Sequence, residues 1–282
     1  MNSSPSSGSS ADKPVVITDN LGEIRVLANI QPPKFRGVPF GDWPVYGDFP
    51  QTPMIPRSQW KPVSYNKYFP AVKDQDGIGA CNAFDTVNIV QGCRNMAGLP
   101  DVDLSCGYLY GNINGQQDQG SMLEDALAWM VEHGTPPSSI VGDLSWKKST
   151  WPANASKEAA NYRVVQAYWC PTFDHLGSAI QSGFLCSVGI MWADGDNVDS
   201  DGWIPTNPRG SQGGHAIARG SLENRNGKWG LGGPNSWSPR WGVAGYMTIP
   251  ENRFGNQVGG HWAVKVVSDF GGSDAPSPPS VP

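Results

Sequence analysis

The hydrophobic period of this chain changes once, near Gly183. Ahead of it, apolar residues recur at helical spacing. Beyond it they form short stretches of strand character. Between Cys81 and about Asn95, the residues Ala80, Ala83, Phe84, Val87 and Val90 share one stripe. Ile89 adds apolar character elsewhere, so the spacing predicts a helix buried on more than one side. Gly98 and Pro100 close it. Ser121-Met122-Leu123-Glu124 fits a capping box, and Met122, Leu123, Ala126, Leu127, Met130 and Val131 then make an amphipathic face that stops at Gly134. A short helix over 156–163 and another from Phe173 to Ser182 follow. After Gly183, strands are expected at Phe184–Trp192, His215–Arg219, Gly227–Leu231, Gly245–Ile249 and His261–Val267. Helices first and strands second predict an α+β chain of two lobes, with a cleft between them as the default site.

The two ends read differently. Residues 1–14 are rich in Ser, Gly and Pro and read as disordered, as does the tail 269–282. Val15–Thr18 and Ile24–Leu27 read as two strands around the turn Asp19-Asn20-Leu21-Gly22. Residues 31–56, dense in Pro, Gly and aromatics, read as an extended arm. The expected division is therefore 1–55 as disordered start and arm, 56–268 as one folded domain, and 269–282 as tail.

Composition narrows the function. With net charge −5 and no Lys/Arg cluster beyond two adjacent residues, nucleic-acid binding is disfavoured. No apolar run reaches the roughly 18 residues of a membrane span. The first residues lack the basic and apolar regions of a secretory signal. Cysteines 81, 93, 106, 170 and 186 are odd in number and include no CxxC pair, which points away from zinc and towards free thiols in a reducing, intracellular compartment. The oligomeric state is not legible.

Three short motifs carry chemistry. In Gln75-Asp76-Gly77-Ile78-Gly79-Ala80-Cys81, a thiol stands at the start of the first helix with an amide donor six residues earlier. The positive end of a helix dipole favours a thiolate there. His215 follows Gly213-Gly214, small residues that clear space before it, and Gly214 is a candidate substrate contact. In Pro234-Asn235-Ser236-Trp237, an amide can orient an imidazole and an indole can shield that bond from water. A thiol, a base and an orienting group are the parts of nucleophilic acyl transfer.

Taken together these motifs resemble the papain-like cysteine peptidases, whose pattern runs Q-x5-C-x-A-F, then G-H-A, then N-S-W-G-x-x-W-G-x-x-G-Y. Here it reads Gln75…Cys81-Asn82-Ala83-Phe84, then Gly214-His215-Ala216, then Asn235-Ser236-Trp237 with Trp241-Gly242 and Gly245-Tyr246. The resemblance covers about Pro56 to Val267. It implies a two-lobed papain-like fold with the central helix starting at the nucleophile and a barrel-like β-rich lobe. It implies Cys81 as nucleophile in a thiolate–imidazolium pair with His215, Asn235 orienting that ring, and Gln75 with the Cys81 backbone N–H as oxyanion hole. Trp237 would border the leaving-group side, and Gly120 and Ser121 would bind substrate backbone. The implied substrate is a polypeptide and no cofactor is implied. A cleavable inhibitory pro-segment in the arm is a further expectation, though such segments are usually helical and proline at this density excludes helices. Departures from the pattern are Asn82 for Trp, Ile78 for a disulfide cysteine, Ala80 for Ser, Ser121 for the second glycine and Ser238 for Gly.

Two alternatives stand beside this reading: a catalytically silent papain-like module used for structure or binding, and an amidase acting on cell-wall peptides. The other four cysteines read as packing residues. His133 reads as structural at a helix end, and His175 and His261 have no partner motif. The loop Asn197–Ile204 matches the first eight positions of a calcium loop, but Pro208 stands where a bidentate Glu is needed, so a solvated acidic loop is expected and no metal site.

Overall fold

The computed structural model describes residues 15–27, 43–163, 166–254 and 260–265. The expected disordered start and tail lie outside these residues, as does the first part of the arm, 31–42.

Helix α1, Cys81–Met96, runs one residue past its expected end. Its neighbours are α2 (Cys106–Ile113), α3 (Leu123–Glu132) and, further on, α4 (Ala155–Ala159) and α5 (Phe173–Gln181). The two strands expected at the start are present as an antiparallel hairpin, β1 (Val15–Thr18) with β2 (Ile24–Leu27). The later strands form two antiparallel four-stranded sheets. In one, β4 (Gln166–Trp169) pairs with β10 (His261–Lys265), then β5 (Leu185–Ala193), then β6 (Gln212–Arg219). In the other, β3 (Val63–Ser64) pairs with β7 (Ser221–Arg225), then β8 (Lys228–Pro234), then β9 (Tyr246–Pro250). The chain passes between sheets at Gly220, whose N–H donates to the Gly232 carbonyl at 2.8 Å. Among the described residues neither sheet closes on itself. No described helix is long and apolar enough to cross a membrane.

Among the described residues two large apolar clusters make most of the core, beside a small one of Tyr108, Val141, Ala155 and Ala159. One joins α1, α2 and α3 to Ala216 and Ala218 of β6. The other fills the β-rich side around Trp192, Trp237, Trp241, Ile217 and Ile249. Strand alternation explains the division, because Gly214, Ala216 and Ala218 share one face of β6. Small side chains there let α1 lie close against the strand.

Two elements differ from expectation, each because of contacts distant in sequence. Helix α2 is short and holds Gly107 and Gly111, poor helix formers. Both are needed, since a Cβ at Gly111 would lie 2.0 Å from the Trp146 carbonyl and one at Gly107 2.4 Å from that of Gly142. Ser105 caps this helix, accepting from Tyr108 N at 2.9 Å. The capping box at α3 does not form: the N-cap is Met122, and the Ser121 hydroxyl is bonded elsewhere. In the acidic loop, Asp199 Oδ1 accepts from Asp201 N and Trp203 N, while Asp199 Oδ2 takes Arg225 Nη1 at 2.6 Å. A guanidinium thus stands against the carboxylate a calcium ion would use.

Gly111→Ala should drive a methyl group into the Trp146 carbonyl and destabilise the fold by about 2 kcal/mol. Thermal unfolding should report a midpoint lowered by roughly 5 °C, and an unchanged midpoint would show that the 142–151 segment yields freely.

Candidate active site

The thiol is placed by the start of α1. Ala80 is the N-cap, with no side-chain oxygen to cap the first turn, and that turn holds no acidic residue. Cys81 sits at the positive end of the helix dipole. The imidazole is placed by β6, in register with Ile190 of β5, and α1 packs against this strand. Asn235 follows β8.

One side chain sets the tautomer. Asn235 Oδ1 accepts from Ser236 N at 2.8 Å and lies 2.9 Å from His215 Nε2. An atom that accepts a backbone N–H is the oxygen of the amide, so Nε2 carries the ring proton and donates. His215 Nδ1 then holds the lone pair, and it is buried without a hydrogen-bond partner. The other faces of the ring are aromatic. Trp237 stacks on it at 4.7 Å between centroids and 24° between planes. Trp192 meets it edge-on at 5.6 Å.

Ser236 ties the parts together. Its carbonyl accepts from Gln75 N at 2.9 Å, and its hydroxyl donates to Gln75 Oε1. That bond fixes which way the Gln75 amide faces. Gln75 Nε2 donates one hydrogen to Ile78 O at 2.9 Å, and an NH2 group has a second to offer. Ser236 lay inside the quoted motif, but nothing in sequence marked it as the hub. Trp192 carried no signal beyond its place in a strand.

On the other side of the nucleophile, Asn82 joins α1 to the 120–122 segment. Its Nδ2 donates to Met122 O at 2.8 Å and its Oδ1 accepts from Ser121 Oγ at 2.8 Å. Gly120, at φ +84°, gives its N–H to the Tyr110 hydroxyl at 3.2 Å. Gly120 and Ser121 thus lie beside the helix start, with these polar groups turned inward. Gly214 shares the α1 face of β6.

The four expected chemical groups are deeply buried: Gln75 is 0% exposed, Cys81 1%, Asn235 1% and His215 2%. Burial pushes the His215 pKa down to about 4; the Asn235 bond opposes this, and the cationic Arg219 and Arg25 add to it. Burial thus works against the imidazolium of the charged pair expected from sequence. His261, outside the site, is likewise held at about 4 by burial, against the bond to the Gly189 carbonyl. His133 pairs with Glu132 and lies tilted against Trp129, and His175 bonds Thr172.

Neither a family model nor a curated protein matches the chain. Solved structures do. Xylellain, a cysteine protease from Xylella fastidiosa, aligns at TM-score 0.60 and 20% identity over 76% of this chain and 94% of its own. Digestive procathepsin L 3 of Tenebrio molitor aligns at 0.61 and 18% identity over 84% and 77% respectively. A ragweed pollen cysteine protease in its proform aligns at 0.62 and 19% over 79% and 71%. The chain has the papain-like fold. At these identities the likeness carries the fold, and activity has to be argued from the site. Against the papain-like pattern, two departures now have local accounts. Asn82, in place of Trp, bridges to the 120–122 segment. Ser238, in place of Gly, keeps a left-handed backbone at φ +73°, and its hydroxyl accepts from Arg240 N at 3.0 Å.

Both buried histidines bind protons more readily unfolded, at about 6.5, than folded, at about 4. Unfolding between those values takes up protons, so stability is fully present above about 6.5 and lost as pH falls towards 4. Denaturant titrations at pH 7 and pH 4.5 should differ by up to roughly 3 kcal/mol per histidine. His261→Gln should flatten that dependence, and an unaltered slope would mean that His261 is charged in the folded state.

Proposed function

We propose that the chain is a cysteine peptidase with Cys81 as nucleophile. The observation that carries this reading is the Asn235 bond. It commits the His215 Nε2 hydrogen and leaves Nδ1 as an unpartnered buried base on the strand against which the Cys81 helix packs.

In this reading His215 Nδ1 takes the thiol proton as Cys81 Sγ attacks the peptide carbonyl. The oxyanion that forms is met by the free hydrogen of Gln75 Nε2 and the Cys81 backbone N–H. As the C–N bond breaks, His215 gives its proton to the departing amine and a thioester remains. Water, deprotonated by the same nitrogen, then cleaves the thioester to a carboxylic acid and the thiol. Trp237 and Trp192 exclude water from the ring, which strengthens the Asn235 bond that holds its tautomer.

Cys81→Ala should abolish both peptide hydrolysis and labelling by a thiol-directed epoxide; activity surviving the change would end the assignment. Gln75→Ala should lower kcat by roughly 10²–10³-fold, the usual loss for one oxyanion donor. A change confined to KM would instead place Gln75 in substrate binding. Purified protein inert towards varied peptides and unlabelled at Cys81 would favour the silent module. Digestion of peptidoglycan but not casein would favour the amidase.

A further inference from the structure

The mechanism leaves one large buried feature unused. Arg25, in β2 of the N-terminal hairpin, is 1% exposed. It donates through Nε to Asp19 Oδ2 at 2.9 Å, through Nη1 to Asp74 Oδ1 at 2.6 Å, and through Nη2 to Glu23 and to the Trp237 carbonyl, the last at 3.3 Å. Two of these partners, Asp19 and Glu23, belong to the hairpin. The other two flank the site: Asp74 precedes Gln75, and Trp237 is the residue stacked on His215. A buried cation shared among three carboxylates is costly to break, since removing it leaves uncompensated charge.

A second contact is steric. A Cβ at Gly213, two residues before His215, would lie 2.7 Å from Leu27 Cβ and 3.0 Å from Val15 Cβ. Both strands of the hairpin therefore rest on the strand that carries the base. Leu27 is buried in the same cluster as Trp192 and Trp237. Glu23 also reaches Arg240, in the turn beyond Trp237. All these contacts lie on the side of His215. The proton taken from the thiol goes to the departing amine through that ring, so the leaving part of the substrate must lie on the same side.

We propose that the hairpin Val15–Leu27 is the wall of the leaving-group side, and that it confines the reaction to amides whose leaving group is short. This rests on the peptidase reading. The hairpin selects which bond is reached. It explains how the base, the orienting amide and Trp237 are buried in a chain that keeps every group the chemistry needs. Arg25 is its clamp and Leu27 its contact surface.

The test compares two substrates with one acyl part, one leaving as an aminocoumarin and the other as a peptide of several residues, on the full chain. Wild type should prefer the dye amide. In Arg25→Ala and in Leu27→Ser, the ratio of kcat/KM for the long over the short leaving group should rise by about tenfold or more, within the range a shape-selective site achieves. The ratio cancels any effect of the lost Arg25 charge on the His215 ring, which both substrates share, and Leu27→Ser leaves that charge in place. Both rates rising together would overturn the proposal in favour of a plug over the whole site. An unchanged ratio, or both rates falling together, would overturn it in favour of a merely structural hairpin. If wild type cleaves neither substrate, the peptidase reading falls, and amide hydrogen exchange over 212–216 and 236–240 decides the wall separately. Faster exchange in both variants supports coverage by the hairpin, and unaltered exchange overturns it.

Discussion

Helix α1 has no solvent face over most of its length, and several of its polar side chains are held by other segments of the protein. Asn82, Asp85, Thr86, Asn88, Gln91 and Arg94 are all buried. Asp85 receives the Ser187 hydroxyl of β5, and burial pushes its carboxyl well up. Gln91 accepts from Leu104 N at 3.3 Å, Arg94 reaches Pro100 O at 3.1 Å, and Asn95 reaches Tyr68 O at 2.9 Å. A purely apolar helix could rotate or slide by a fraction of a turn at modest cost. One held by directional bonds to several segments has a single register, because each bond left unmade in the interior costs about 1–3 kcal/mol. The position of Cys81 is thus decided by contacts along the whole length of the helix that follows it.

The same logic runs through the rest of the site. Asn235 is useful as an orienting group because Ser236 N occupies the same oxygen and prevents the amide from flipping. Gln75 is held because Ser236 Oγ takes its carbonyl end. Arg219, buried beneath the site, gives Nη1 to Met247 O and Nη2 to Pro234 O, which fixes the β8–β9 frame from which Asn235 projects. Backbone and side chain interlock so that each reactive group is set by a neighbour with no part in the chemistry.

Much of this was legible in the sequence, and the remainder was hidden for definite reasons. Helix α1 could be read because its apolar residues are periodic, and β5 because its run is unbroken. The hairpin could be read from the Asp19–Gly22 turn between two short apolar runs. Cys81, His215 and Asn235 could be proposed because each sits in a local motif. Helix α2 was not visible, because its glycines answer to close approach by the 142–146 backbone, a contact distant in sequence. The capping pattern at Ser121 misled because its hydroxyl serves Asn82, and local pattern carries no record of tertiary competition. The lowered pKa of His215 was unreadable for the same reason: it follows from burial and from two arginines brought near by the fold. Arg25 looks like any hairpin arginine until Asp74 and Trp237 are brought to it.

The bridge from Asn82 to Ser121 and Met122 has a consequence for how such a protein can diversify. The residue after the nucleophile and the segment across from it share one pair of hydrogen bonds. Positions 82 and 121 are therefore coupled. A glycine at 121 would strand the Asn82 carbonyl oxygen. A change at either position alone leaves a buried polar group of the other unmet, so substitutions there are felt together rather than one at a time.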